Sequence, residues 1–227
     1  MTRSITWWKG ARLDGTLTLA ALCALALPPA ARAAEPVLNA PHTTLVVRVY
    51  DGVGLATRDV REANRVASEI LAEAGVDLRW RICPAEPVQR VDSCRQPLAA
   101  NEAVLRIIPA ARQMTAEPAS LGFTLLDPSG RQAVLSTVFM DRILDVAGRA
   151  RVDPTQLAGR AMAHEIGHLL LGTSGHATSG LMRAFWSDDT LRSHARDDWS
   201  LLPEEADAIR ANRMHVPDLD VAGGSQD

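Results

Sequence analysis

A histidine-glutamate motif with metal-binding spacing occupies residues 164–168, which read H-E-I-G-H and fit the pattern H-E-x-x-H. Residues four apart lie on one face of a helix, so His164 and His168 can present ring nitrogens to the same ion. Zinc accepts such ligands, and a catalytic zinc site keeps a fourth position for water. Glu165 lies about 100° around the helix from His164 and can act on that water as a general base without binding the metal. The competing interpretation is a pair of ordinary core histidines.

A third ligand is needed, and His176 is the first candidate. It lies eight residues after His168, beyond a glycine that ends the motif-bearing segment. Gly172 and Gly175 would let the chain reverse and bring the imidazole of His176 back to the metal. The following segment, 179–182, offers a second turn that ends at Met182.

Two glutamates near the C-terminus are rival third ligands. Glu204 and Glu205 follow Pro203 at the predicted start of the last helix. Acidic side chains in a first helical turn are favoured by the helix dipole alone, so their presence does not require a metal. His176 is therefore the preferred third ligand, with Glu204 and Glu205 as alternatives.

The segment H-E-I-G-H-L-L-L-G, the later histidine and the methionine together resemble the metzincin zinc endopeptidases, most closely exported bacterial proteins with an H-E-x-G-H-L-L-L-G core. The resemblance implies an α+β zincin fold: a twisted, mostly parallel sheet with an antiparallel edge strand, a backing helix, an active-site helix and a C-terminal helix. By position, it makes His164, His168 and His176 the zinc ligands, Glu165 the base and Met182 the residue of a turn beneath the metal. The usual family pattern places a glycine 3 and a histidine 6 residues beyond the second histidine, whereas here the offsets are 4 and 8.

The motif lies in a segment with its own helix start and stop signals. Asp153 is a good N-cap, Pro154 suits the first helical position, and Gln156 would complete a capping box. Gly172 is a typical end signal. These signals predict a continuous helix over residues 157–171.

The segments before that helix predict a single sheet with helices on one face. Apolar and alternating runs predict strands at 44–50, 76–82, 103–108, 121–126 and 133–140, the last two forming a hairpin around a turn at 127–130. A helix capped by Asp59 with Glu62, and ended by Gly75, is predicted between the first two strands. This order of elements favours the α+β class. A last helix is expected from Pro203, followed by a disordered tail at 217–227.

The first 33 residues have the features of an export signal. Arg3, Lys9 and Arg12 precede an apolar run of 12 residues at 16–27, and residues 31–33 supply an A-x-A cleavage site. The run is shorter than the roughly 18 residues that a membrane span needs. We therefore expect cleavage after Ala33, a leader segment at 34–43 and a catalytic domain at 44–216 in a secreted or periplasmic protein.

Two cysteines remain after that cleavage. Cys83 and Cys94 lie 11 residues apart in a proline-containing segment. In an oxidising compartment this spacing favours a disulfide that closes a short loop, with two free thiols as the alternative.

The net charge of the chain indicates which classes of partner it can bind. Residues 34–227 contain 20 arginines, 26 acidic residues and no lysine, a net charge of about −6, which argues against a nucleic-acid-binding protein. We expect a monomeric zinc peptidase that acts on peptide or protein substrates, paired with an edge of the sheet in the 121–140 hairpin, and that has no membrane contact once the signal is removed. The alternatives are a non-catalytic binding module, which the intact Glu165 disfavours, and a zinc amidase acting on cell-wall peptides.

Overall fold

The computed structural model describes residues 43–84, 92–110, 120–126 and 135–212, which contain one five-stranded sheet. The strands are β1 (Thr43–Asp51), β2 (Val76–Cys83), β3 (Glu102–Ile108), β4 (Gly122–Leu125) and β5 (Leu135–Phe139), in the spatial order β2-β1-β3-β5-β4. Four of these strands run parallel to their neighbours, and β4 runs antiparallel to β5 at one edge. The predicted mostly parallel sheet with an antiparallel edge strand is confirmed.

Five helices accompany this sheet in the described part of the chain. They are α1 (Thr57–Ala72), α2 (Met140–Ala150), α3 (Pro154–Leu171), the short α4 (Asp188–Arg192) and α5 (Pro203–Asn212). The predicted backing helix, motif-bearing helix and C-terminal helix correspond to α1, α3 and α5, so the α+β class is confirmed. No helix within the described ranges combines the length and the apolar character of a membrane span.

The helices α1 and α3 cover one face of the sheet. Two hydrogen bonds define this face: the Trp80 indole of β2 donates to Ser68 of α1 at 2.8 Å, and the Thr124 hydroxyl of β4 donates to Glu165 of α3 at 2.8 Å. Gly159 of α3 faces α1, where an added Cβ would lie 2.5 Å from Cβ of Val66. The main core lies between this face and the two helices and includes Val47, Val49, Leu71, Leu105, Ile107, Met162 and Ile166.

The opposite face of the sheet carries a buried ion-pair network. Glu102 of β3 pairs with Arg48 of β1, and its second oxygen pairs with Arg81 of β2. Burial raises the pKa of Glu102, but the backbone N–H of Ala99 and the two guanidinium groups outweigh that effect and hold the pKa below its ordinary value. Glu102 is therefore an ionised carboxylate that cross-links three adjacent strands.

A disulfide holds a loop over the same face. The predicted bond between Cys83 and Cys94 is present. The Cys94 carbonyl accepts a hydrogen bond from the Tyr50 hydroxyl at 2.9 Å, and the carbonyls of Gln96 and Pro97 accept from Arg48. The disulfide thus fixes a loop whose backbone carbonyls satisfy polar side chains of β1.

The start of α1 differs from the prediction. The helix begins at Thr57, and its N-cap is Ala56, which has an extended backbone and offers no side-chain hydrogen bond. Asp59 already lies inside the first turn, and Glu62 pairs with Arg65. The predicted Asp59–Glu62 capping box is wrong because a residue with helical backbone angles cannot serve as an N-cap.

Helix α2 was not predicted from the sequence. The predicted strand at 133–140 ends at Phe139, and Met140 is already the first residue of α2. The helix buries Met140, Ile143, Ala147 and Ala150 on one side, a helical period. The predicted export signal, most of the leader, the turn at 127–130 and the tail at 217–227 lie outside the described residues.

Candidate metal centre

Helix α3 starts and ends where its sequence signals place it. The Asp153 carboxylate accepts hydrogen bonds from the backbone N–H groups of Thr155 and Gln156, and Gly172 ends the helix in the left-handed region with φ of 65°. The Gln156 side chain donates to Glu62 of α1 at 3.1 Å. The predicted N-cap is confirmed, whereas the Gln156 side chain joins two helices instead of completing a capping box.

His164 and His168 present their Nε2 atoms to each other. The two Nε2 atoms are 3.1 Å apart. Nδ1 of His164 lies 2.9 Å from the Leu181 carbonyl, and Nδ1 of His168 lies 2.7 Å from the Thr173 carbonyl. Because a carbonyl can only accept, each Nδ1 carries the hydrogen and each Nε2 is left with a free lone pair.

His176 completes a group of three imidazoles. Its ring centroid lies 5.4 Å from that of His164 and 4.9 Å from that of His168. One ligand nitrogen from each ring falls within 4.8 Å of the others, and His176 is the exposed member. In the loop before it, Gly172 takes the left-handed conformation, whereas Gly175 is not among the described glycines with positive φ. The chain reversal therefore depends on Gly172 and not on both glycines.

Burial keeps the two helical histidines neutral. It lowers the pKa of His164 to about 4, an effect that the neighbouring His168 and His176 rings strengthen and the Leu181 carbonyl opposes. The pKa of His168 is lowered for the same reason, against its bond to Thr173. Neutral imidazoles with free Nε2 lone pairs are in the form that binds a metal ion.

Met182 packs directly beneath this helix. It is fully buried, and an added Cβ on Gly167 would lie 2.5 Å from its sulfur. The Met182 carbonyl accepts from the Ala177 N–H at 2.9 Å, so the segment that holds Met182 is bonded to the segment that follows His176. The preceding carbonyl, of Leu181, orients His164. This turn therefore contacts both the helix and the loop that supply the three imidazoles.

Glu165 is buried between α3 and the edge strand. Its Oε2 accepts a hydrogen bond from the Thr124 hydroxyl at 2.8 Å, and its Oε1 lies 2.8 Å from the position that a Cβ on Gly122 would take. Burial raises the pKa of Glu165 to about 7, partly countered by the hydrogen bond from Thr124. A carboxyl with this pKa can exchange a proton near neutral pH.

Two tryptophans lie behind the histidines. The Trp186 ring meets the His164 ring edge-on, with centroids 5.6 Å apart, and it also contacts Trp199 at 5.2 Å. The Arg160 guanidinium lies over the Trp199 ring at 3.7 Å. Trp186 thus contacts both the His164 ring and the Trp199 ring.

Other candidate residues lie outside this cluster. Glu205 accepts from the backbone N–H of Leu202 at the start of α5, and Glu204 is exposed. The Arg183 guanidinium, near in sequence to Met182, donates to the Gly180 carbonyl, Thr190 and Asp198. Among the residues that the structure describes, only the three histidines come together as a group able to hold a metal.

Several partners of the site were not predicted from the sequence. Thr124 and Gly122 of β4 contact Glu165 from a strand 41 and 43 positions earlier in the chain. The carbonyls of Leu181 and Thr173 orient the two helical histidines. Backbone acceptors carry no signal in the residue type, and an edge-strand threonine is ordinary in sequence.

No protein-family model and no curated protein matches this chain. Its structure is similar to that of an archaemetzincin (AmzA) from Methanopyrus kandleri, at 18% identity and a TM-score of 0.46, covering 76% of this chain and 96% of the other. It is also similar to metalloproteinase-II from Bacteroides fragilis, at 13% identity and a TM-score of 0.48, covering 78% of this chain. The aligned region spans about half of that second protein, 55% of its length.

Proposed function

We propose that this chain is an exported zinc-dependent endopeptidase, with His164, His168 and His176 as zinc ligands and Glu165 as the general base. The observation that supports this most directly is the group of three imidazoles, two of which lie on the same helix as the buried carboxyl of Glu165. The resemblance of residues 164–182 to the metzincin pattern points to the same chemistry.

The three histidines fit zinc in donor type, and the two on α3 also fit it in spacing. Zinc–nitrogen bonds of about 2.0–2.1 Å at tetrahedral angles put neighbouring nitrogens roughly 3.3 Å apart. The His164 and His168 Nε2 atoms are 3.1 Å apart, with their lone pairs facing. Two lone pairs held this close repel each other unless a cation lies between them. Three imidazole ligands would also leave one coordination position for a water or a substrate oxygen.

Glu165 would move the protons of the reaction. A zinc ion bound to the histidines would polarise the peptide carbonyl and make water acidic enough to ionise near neutral pH. Glu165 accepts the proton of the attacking water and then donates it to the leaving amine nitrogen. Its pKa, raised to about 7 by burial, suits both halves of this transfer.

The open edge of β4 would hold the substrate. Within the described residues β4 pairs as a strand only with β5. The Ser120 hydroxyl bonds the N–H and the carbonyl of Gly122, and an added strand would take its place there. An extended peptide pairs with such an edge through its backbone, largely independently of sequence. Strand β4 also contacts Glu165 through Thr124, so a peptide bonded to this edge would lie near the proposed base.

Export would explain the oxidised cysteines. The Cys83–Cys94 disulfide fits an oxidising compartment, and the sequence of residues 1–33 fits a cleaved signal. Expression of the full chain in a bacterial host, followed by mass measurement of the exported protein, tests this directly. A mature protein that begins at Ala34 supports export, and an uncleaved cytoplasmic protein contradicts it.

Zinc content tests the ligand set. The purified mature protein, its His176→Ala variant and a His194→Ala control should be compared by mass spectrometry of bound metal. His194 is exposed and outside the histidine cluster, so its variant should keep one zinc per chain. We expect His176→Ala to lose most of its zinc after dialysis. Full zinc retention by that variant would exclude His176 as a ligand, and a metal-free parent protein would exclude the zinc enzyme.

Hydrolysis tests the catalytic role. Cleavage of an unstructured protein and of cell-wall peptides should be followed for the parent protein, Glu165→Gln and an exposed control, Glu204→Gln. We expect cleavage of the unstructured protein to be lost in Glu165→Gln and kept in Glu204→Gln. Cleavage of cell-wall peptides alone would indicate the amidase instead, and zinc binding without any hydrolysis would indicate a binding module.

A further inference from the structure

We propose that Thr124 of the edge strand is a positioning residue for Glu165, which it holds in the catalytic orientation through its side-chain hydroxyl. This inference rests on the proposed function, because it assigns Thr124 a task only if Glu165 is the base. The two residues are 41 positions apart, and the contact joins the substrate-facing strand to the metal-binding helix.

The hydroxyl of Thr124 lies within bonding distance of two acceptors on the same residue. It is 2.8 Å from Oε2 of Glu165 and 2.8 Å from the Glu165 backbone carbonyl oxygen. A hydroxyl has one hydrogen, so it can donate a full hydrogen bond to only one of them. The carboxylate can take that hydrogen when the carbonyl, which lies inside α3, is served by the helical N–H four residues further on and by a second hydroxyl donor.

Ser136 of β5 provides that second donor. Its hydroxyl is 3.2 Å from the Glu165 carbonyl oxygen and 3.0 Å from the Thr124 hydroxyl, and the residue is fully buried. When Ser136 donates to the carbonyl, the hydrogen of Thr124 is free for the carboxylate. This arrangement satisfies both acceptors of an ionised Glu165, so it is the favoured one.

The space around the carboxylate is defined by Gly122. A Cβ at this position would lie 2.8 Å from Oε1 and 2.9 Å from Cγ of Glu165. The glycine therefore leaves a recess on β4 that the carboxylate fills, with the Thr124 hydroxyl at one side. One strand both shapes the recess and supplies the donor, so the orientation of Glu165 depends on β4.

Thr124→Val and Thr124→Ser separate the hydroxyl from the shape of the side chain. Valine keeps the branched shape without the donor, and serine keeps the donor. Thr137→Val is the matched control: Thr137 is buried on the neighbouring strand, faces the opposite side of the sheet and accepts its hydrogen bond from Arg106. Gly122→Ala is unsuitable, because the new methyl would also lie 2.5 Å from the Thr137 carbonyl oxygen.

We expect Thr124→Val to lower kcat about 10- to 100-fold, since misplacing a catalytic group by an ångström has effects of this size. KM and zinc stoichiometry should stay within about twofold of the parent values, because neither the ligands nor the open edge of β4 is changed. Thr124→Ser should recover kcat to within about threefold, and Thr137→Val should leave it unchanged. Equal losses in Thr124→Val and Thr137→Val, or no recovery in Thr124→Ser, would overturn the proposal.

A crystallographic comparison decides the matter independently of activity. In zinc-loaded crystals of Thr124→Val, the Glu165 carboxylate should leave the recess beside Gly122, and in Thr124→Ser it should stay. An unmoved carboxylate in Thr124→Val overturns the positioning role even if the parent protein hydrolyses nothing. If the parent protein shows no peptidase activity, by contrast, the proposed function is contradicted, but the crystallographic test of the Glu165 position remains valid. Thr124→Ala, which also removes the donor and adds no bulk, supplies the test if the valine variant does not fold.

Discussion

Gly167→Ala would place a methyl group against the methionine beneath the metal-binding helix. The new Cβ would lie 2.5 Å from the sulfur of Met182, whereas unstrained contacts between heavy atoms lie at about 3.5–4.0 Å. Overpacking a buried site by one methyl costs about 1–3 kcal/mol, and an overlap of an ångström or more belongs in the upper part of that range. Replacing a helical glycine by alanine returns about 1 kcal/mol through helix propensity. We therefore expect a net loss of about 1–2 kcal/mol in the free energy of unfolding.

Gly148→Ala is the matched control for this prediction. Gly148 lies in α2, and an added Cβ there meets nothing within 4 Å. Only the helix-propensity term remains, so the control should gain about 0.5–1 kcal/mol. Urea denaturation of the metal-free proteins measures both changes in the free energy of unfolding. The dependence of that free energy on urea concentration should be the same in the parent protein and in both variants. If Gly167→Ala stabilised the protein as Gly148→Ala does, the close packing of Met182 on α3 would be refuted.

Zinc affinity provides a second readout of the same variant. Met182 follows Leu181, whose carbonyl orients His164. A displaced Met182 should disturb that hydrogen bond, and changes in the partners of metal ligands typically weaken binding about 10- to 100-fold. Competition with a zinc-sensitive chelator should show weaker binding by Gly167→Ala and unchanged binding by Gly148→Ala.

Further predictions concern the disulfide, the buried ion pair and the metal. Cys83→Ser with Cys94→Ser should lower the free energy of unfolding by about 3 kcal/mol, as expected for a closed loop of this length, and reduction of the parent protein should reproduce the loss in urea denaturation. Glu102→Gln should cost about 3 kcal/mol at pH 7, because it leaves the buried Arg48 without its counter-charge. The pKa of Glu102 is lowered in the folded state, so its stabilisation is complete above the unfolded pKa of about 4.3 and is lost as pH falls through the folded value. Thermal unfolding between pH 3 and 7 should therefore show a shallower acid decline in Glu102→Gln, and a decline identical to the parent would contradict this. Zinc at about 1,000 times its Kd should raise the free energy of unfolding by about 4 kcal/mol, and His164→Ala should abolish most of that gain in a calorimetric titration.

The sequence predicted elements whose signals are local. Helix α3 combines an N-cap at Asp153 with a left-handed stop at Gly172, and both are observed. Helix α2 lacks such residues: its N-cap is Phe139, and the residue that ends it in the left-handed region is Arg151, not a glycine. Phe139 is also the last residue of β5, so no loop separates strand from helix. The alternating pattern of β5 therefore passes directly into the helical pattern of α2, and the predicted strand extended one residue too far, to Met140.

The histidines were recognisable because metal ligation demands particular residue types at fixed spacing. The environment of Glu165 was not, because it depends on which strand forms the edge of the sheet. The register of β4 and β5 pairs Thr124 with Ser136, and both hydroxyls contact Glu165. These contacts therefore depend on strand pairing between residues that are distant from α3 in the chain. No local pattern in residues 120–126 indicates that pairing.

The position of β4 at the edge has a consequence for hydrogen exchange. A strand bonded on one side opens at a lower free energy than the strands bonded on both sides, so the amides of β4 should exchange faster than those of β1 and β3. Each such opening also separates Thr124 from Glu165. A peptide bonded to the free edge would supply the missing second ladder and slow this exchange. Binding of a peptide at this edge and the order of the Glu165 carboxyl are thus coupled through the opening of β4.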